Sequence, residues 1–195
     1  MPASRVSAVN CWGMCTEVTG IMYAERTVSI PPGVTITEEK STIIVNGPKG
    51  RLQRDMWYPG ITITIQEDSV VVSTSVSKKQ TYAMIGTFAS HITNMCTGVT
   101  DGYVYTMKVV YSHFPIQIKV QGEKLEIVNF LGEKHPRYAN ILPDISVKSG
   151  NDEVVVTGIN KDLVGATAAN IERATKVRNR DPRVFQDGIY IVKKE

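Results

Sequence analysis

Apolar and polar residues alternate with period two along much of the chain. Ile61-Thr-Ile-Thr-Ile65 and Ile116-Gln-Ile-Lys-Val120 do so without a fault. Such alternation places one face on a core and the other in water, which predicts half-buried strands. Further β-rich runs are Val34 to Thr37, Thr42 to Asn46, Val70 to Val76, Met107 to Tyr111, Leu125 to Phe130, Ile145 to Lys148 and Val154 to Thr157. Turn-forming residues separate most of them, as in Gly47-Pro-Lys-Gly50, Gln121-Gly-Glu-Lys124 and Ser149-Gly-Asn-Asp152.

Two segments switch to helical spacing. Met84, Phe88, Ile92 and Met95 form one stripe, Ser77-Lys-Lys-Gln80 reads as a capping box before it, and Gly98 reads as its stop. The second helix is expected from Leu163 to Val177, with Leu163, Thr167, Ile171 and Ala174 on one face and Asn160 or Asp162 as cap.

The two halves repeat. Ile44-Val-Asn46 matches Ile127-Val-Asn129 at an offset of 83, Ile63 and Ile65 match Ile145 and Val147 at 82, and Val70-Val-Val72 matches Val154-Val-Val156 at 84. Strand runs followed by one helix occur in the same order in both. The expectation is an α+β fold of two tandem, similar domains, each an antiparallel-rich β-sheet packed against one α-helix, at residues 22–100 and 101–192.

Composition narrows the class. With 42% hydrophobic and 21% charged residues the chain can bury a core, which excludes disorder as its main state. The longest apolar runs, such as Tyr82 to Ile85, are four residues against the roughly 18 of a spanning helix, so no membrane partner is expected. Three cysteines, Cys11, Cys15 and Cys96, form no regular framework, and there is no Asn-x-Ser/Thr sequon; both favour a reducing, intracellular setting.

Enzyme signatures are sparse. No two glycines lie two apart, which excludes Gly-x-Gly-x-x-Gly, and neither a Walker A loop nor a nucleophile elbow is present. Cys11 and Cys15 have the spacing of a zinc pair but lack a full ligand set, so neither a metal nor another cofactor is expected. The doublets Glu38-Glu39, Glu67-Asp68 and Asp152-Glu153 fall between predicted strands, where solvated turns explain them. His113 and His135 keep one enzymatic alternative open, as bases with a distant nucleophile; hydrogen-bonding loop histidines, or histidines touching RNA, are the competing reading.

Charge is what points to a partner. The net charge of +3 hides an asymmetry: residues 1–172 carry net −1, whereas residues 173–195 carry seven Lys/Arg against three Asp/Glu. Gly47-Pro-Lys-Gly-Arg-Leu-Gln-Arg54 holds three cations and no acid, and is either a phosphate-approaching loop or an ordinary hairpin. In Arg173-Ala-Thr-Lys-Val-Arg-Asn-Arg-Asp-Pro-Arg183 a helix C-terminus explains Arg173 and Lys176 through its dipole, but not Arg178, Arg180 and Arg183. Guanidinium forks match phosphate geometry and stack on exposed bases, so RNA is the favoured partner there.

Five phrases carry a resemblance: Val45-Asn-Gly-Pro-Lys-Gly50, Tyr111-Ser-His-Phe-Pro-Ile116, Asn129-Phe-Leu-Gly-Glu-Lys134, Ala174-Thr-Lys-Val177 and Asp181-Pro-Arg-Val-Phe-Gln-Asp-Gly-Ile-Tyr190. The chain resembles, over about residues 25–192, the universal large-subunit ribosomal protein L six family in its archaeal and eukaryotic form. The resemblance implies tandem domains of one fold and no catalysis. It implies binding to large-subunit rRNA, with neighbouring large-subunit ribosomal proteins as further partners and a cytoplasmic, ribosomal location. It also implies a position beside the stalk base and the sarcin-ricin loop, near translational GTPases. Carried onto matching positions, the implied RNA contacts are Lys176, Arg178, Arg180 and Arg183, then Lys134, His135 and Arg137, and lastly Lys49 and Arg51. Residues 1–21 have no counterpart and are expected to be a disordered or untranslated extension. The acidic turn Gln66 to Ser69 departs from the lysine run of many eukaryotic relatives, which argues against RNA contact there. The alternative is a non-ribosomal RNA-binding or ribosome-assembly factor with the same domains.

Overall fold

In the computed structural model, residues 15–18, 21–76, 78–112, 114–150, 152–181 and 183–194 are described. The N-terminal half contains β1 (Cys15–Val18), β2 (Ile21–Ser29), β3 (Thr35–Glu39), β4 (Thr42–Gly47), β5 (Gly50–Asp55), β6 (Ile61–Ile65), β7 (Ser69–Thr74) and α1 (Lys79–Thr100). The C-terminal half contains β8 (Tyr103–Val110), β9 (Gln117–Gln121), β10 (Lys124–Val128), a 3-10 turn (Phe130–Gly132), β11 (Arg137–Asn140), β12 (Ile145–Ser149), β13 (Glu153–Gly158), α2 (Lys161–Ala174) and β14 (Gly188–Lys194).

The architecture is α+β and the internal repeat is real. Each half has a four-stranded and a three-stranded sheet, in the orders β1-β2-β7-β6 with β3-β4-β5, and β14-β8-β13-β12 with β9-β10-β11. The single sheet expected per domain is thus divided in two. The matched motifs fall on equivalent strands, β4 with β10, β6 with β12 and β7 with β13. Alternation explains why they are strands: in β8 Tyr103, Tyr105, Met107 and Val109 are buried while the intervening residues are not. Val154 and Val156 of β13 pair with Met107 and Tyr105, and all four enter the core of the C-terminal half.

By compactness the chain divides into residues 53–96 with the described part of 1–46, and residues 47–52 with the described part of 97–195. In the first unit α1 buries Ile85, Phe88, Ile92 and Met95. In the second, α2 packs on β8, β11, β13 and β14, and buries Val164, Thr167, Ala168 and Ile171.

Several local expectations change. Helix α2 ends at Ala174, short of Val177, and Asn160 is its cap, accepting the Asp162 N–H at 3.0 Å. Gly98 does not stop α1, which runs on to Thr100. Its role is close approach, because a Cβ there would lie 2.2 Å from the Ile159 carbonyl oxygen. Gly102, at φ +72°, supplies the left-handed turn after the helix. Residues 50–54 belong to strand β5, not to a loop; Leu52 and Arg54 are half-buried while Arg51 and Gln53 face out, an alternation masked by the polar residues on both faces. Ser77, in the expected capping box, and residues 1–14 lie outside the described residues.

Candidate nucleic-acid interface

The C-terminal basic segment bridges α2 and β14 and is fastened at both ends. At its start Thr175 is buried; its hydroxyl donates to the Glu172 carbonyl at 3.1 Å and accepts the Ile189 N–H at 3.2 Å, joining the helix end to β14. At its far end buried Asp187 accepts the Ser112 N–H at 2.9 Å. Between them Asp181 organises a turn. Its carboxylate accepts the Arg183 N–H at 2.9 Å, and its carbonyl accepts the N–H groups of Val184 and Phe185. Lys176, Arg178, Arg180 and Arg183 project from this bridge and are all exposed. The Arg180 guanidinium lies 4.8 Å from the Phe185 ring centroid, a cation–π contact that steadies it on the protein.

Lys134 and His135 are exposed in the turn that leads into β11. That turn is set by three positive-φ residues within four positions. Asn129, Leu131 and Gly132 all have positive φ, of 61°, 51° and 74°, which is uncommon for a residue as large as leucine. The reversal drives Phe130 and Leu131 into the core and brings Glu133 to Arg137 to the surface. A Cβ on Gly132 would also press on the Phe114 ring at 3.3 Å.

Arg137 is placed differently from the other implied contacts. Its Nε donates to Glu133 at 2.8 Å and its Nη2 to the same carboxylate at 2.5 Å. Its Nη1 donates to the carbonyls of Ala174 and Lys176 at 3.0 and 3.1 Å, and its guanidinium covers the Phe130 ring at 4.3 Å. It clamps the end of α2 and the start of the basic bridge onto the β10–β11 connection. Arg137, through a hydrogen bond and its charge, holds the Glu133 carboxyl below its ordinary value of 4.5; the Arg180 charge adds to this against the opposing effect of burial. Glu133 therefore neutralises part of the cluster, while Lys134 and His135 beside it stay open to solvent.

Two recesses flank the helix end. A groove of about 590 Å³ is lined by Val177, Phe185 and Tyr190 together with Glu172, Arg173 and Lys176. A second of about 370 Å³ is lined by Arg137, Tyr138 and Arg178, again with Arg173 and Lys176. Tyr138 and Tyr190 are 54% and 43% exposed, large rings left in water beside cations. The sequence offered only a faint signal for them, since each is a single aromatic in a strand.

Lys49 and Arg51 are exposed on the β4–β5 hairpin. The hairpin tip approaches the chain's own helix end instead of offering its amides outward. The Lys49 N–H donates to the Val99 carbonyl at 3.0 Å, its ammonium donates to the Asp101 carbonyl, and a Cβ on Gly47 would strike Val99. His113 lies outside the described residues. Among the described residues no group of three or more His, Cys, Asp or Glu is placed to hold a metal, and no helix is long and apolar enough to cross a membrane. Cys96 is buried, and loss of solvation pushes its thiol pKa up against a smaller opposing hydrogen bond.

The family model described as Ribosomal protein L6 matches residues 25–102 and again 114–188, one match to each half of the repeat. Among proteins of similar sequence, a large ribosomal subunit protein uL6 from Methanospirillum hungatei is 68% identical over 171 residues, covering 88% of this chain and 97% of that protein. Proteins of the same name from Methanococcoides burtonii and Methanosarcina mazei are 58% and 53% identical, each covering 87% of this chain and 96% of their own length.

Proposed function

The chain belongs to the ribosomal protein L6 family, in its archaeal and eukaryotic form, and from that premise we propose that it binds large-subunit rRNA through the basic bridge of its C-terminal unit. As a member of this family it is a structural component of the large ribosomal subunit in the cytoplasm, not an enzyme. The observation that carries the rRNA reading is the fastening of the bridge at Thr175 and Asp187, with Lys176, Arg178, Arg180 and Arg183 exposed between those points. A segment tied to the core at two points loses less conformational entropy on meeting a polyanion than a free tail would, so more of its charge converts to affinity.

Lys134 and His135 extend this surface, and Arg137 holds it together from behind. Lys49 and Arg51 form a second, smaller contact. Phosphate contacts supply most of the affinity and shape supplies the selectivity, because the major groove of A-form RNA is too narrow for side chains to read. The place of binding is beside the stalk base and the sarcin-ricin loop, close to the site of translational GTPases.

Gradient sedimentation after a high-salt wash tests the assignment. An integral component stays with the large subunit; release by salt, or association with precursor particles alone, would instead identify an assembly factor. Photo-crosslinking from a benzophenone side chain at position 178 tests the place. Crosslinks in the sarcin-ricin region are expected, and crosslinks confined to other rRNA domains would refute it.

A further inference from the structure

Arg173, in the last turn of α2, and Lys176, just past its end, line both recesses there. They stand as a cationic ridge with Tyr190 in the recess on one side and Tyr138 in that on the other. Both rings are substantially exposed. Tyr190 is steadied by its hydroxyl, which donates to the Gln186 carbonyl at 3.3 Å, and Tyr138 is near the Glu126 carboxylate at 3.4 Å. Arg180 already stacks on Phe185, so Tyr190 is the ring left open in its groove. Glu172 is the one acid lining either recess.

Two exposed rings, in recesses that share the same two cations, supply the chemistry that recognises a step of single-stranded RNA. The linking phosphate meets the ridge while the two bases splay apart and stack on the rings. A regular duplex cannot use the rings in this way, because its bases are stacked on one another. We propose that the end of α2 is a subsite for two consecutive unstacked nucleotides, with Tyr138 and Tyr190 as stacking platforms and Arg173 and Lys176 as the phosphate contact. This rests on the rRNA-binding reading and refines it: beside the shape-read surface of the bridge lies a site that takes a bulge, loop or strand end.

The test uses the full chain free of rRNA and fluorescein-labelled hexa-adenylate, read by fluorescence anisotropy. Tyr138→Leu and Tyr190→Leu are each expected to weaken binding about ten-fold with an unchanged salt slope, within the range of stacking on single aromatics. Tyr138→Phe and Tyr190→Phe keep the rings and should bind within about two-fold of the parent, which separates stacking from folding. The double variant Arg173→Gln with Lys176→Gln should lower the log-log salt slope by roughly 0.7, the loss of one phosphate contact on a single strand. Binding that is absent in the parent, or indifferent to removal of both rings, would overturn the inference. A hexaglutamate peptide that competes as well as the oligonucleotide would overturn it too, marking a general anion surface or an acidic protein's docking site. A salt-resistant subunit protein with ring-indifferent hexa-adenylate binding would lose the subsite and keep the proposed function.

Discussion

Arg137 shows how much of a basic surface is internal framework. The family resemblance groups it with Lys134 and His135, yet its guanidinium is engaged by Glu133, two carbonyls and the Phe130 ring. Arg137→Leu removes the charge-assisted pair and both carbonyl contacts, and should destabilise the C-terminal unit by about 1–3 kcal/mol. Arg137→Lys should recover little, because an ammonium cannot reproduce the planar fork. Thermal denaturation measures both. If Arg137→Leu weakened RNA binding with no loss of stability, the residue would be a direct contact and not a clamp. Glu133 supplies a pH signature. Its pKa is depressed in the folded state, chiefly by Arg137, so its stabilising contribution is present above the ordinary value of 4.5 and is lost as pH falls through the lower folded value. The difference in melting temperature between the parent and Glu133→Gln should therefore be largest near neutrality and close below about pH 4.5. A difference that stayed constant down to pH 3 would count against the ion pair.

At the scale of elements, the same physics explains what could be read from sequence and what could not. Alternation marks β6, β7 and β10, whose buried or half-buried positions recur every second residue, whereas β4 is marked by a continuous apolar run, Ile43 to Val45, buried on both faces. Strand β5 carries no such alternation in its sequence because its half-buried positions include Arg54 and a glycine, and β14 carries little because its outer half, beyond Ile191, is exposed. Neither the Arg137 clamp nor the two tyrosines was legible, because their roles depend on segments that meet only in the folded unit. Gly98 illustrates the point quantitatively. Helix propensity alone predicts that Gly98→Ala stabilises α1 by about 1 kcal/mol. The Ile159 carbonyl oxygen 2.2 Å from the new Cβ reverses the sign, because backbone cannot step aside as a flexible side-chain end can. A net loss of about 1–3 kcal/mol is expected in chemical denaturation, in the range of overpacked cores. At the other helix, Asn160→Ala removes the acceptor for the Asp162 N–H and should cost about 1 kcal/mol, with Asn160→Asp restoring most of it.

At the scale of the whole molecule, the repeat separates the shared scaffold from the candidate interface. Both halves contain the same strand orders and one helix, but the outer strand beside β2 is β1, from the N-terminal side, whereas the one beside β8 is β14, from the C-terminal end. To reach that place the chain must cross from α2 to β14, and the crossing is the bridge of residues 175–187. The first half has no equivalent, since α1 leads directly into β8. What the second copy adds to the shared scaffold is therefore the part richest in cations, while residues 1–172 are close to neutral. An addition of this kind, with its cations exposed between its fastenings, is suited to recognition. The expected consequence is a double dissociation. If roughly four to seven cations engage phosphates, affinity of the full chain for large-subunit rRNA should fall with a log-log salt slope of about −3 to −6. Arg178→Gln with Arg180→Gln should reduce that slope by about 1.5 while leaving the melting temperature nearly unchanged, because Arg178 is exposed and the Arg180 contact with Phe185 is at the surface. A flat salt response in the parent, or a double variant that unfolds but keeps its slope, would mean that these cations stabilise the unit and do not grip RNA.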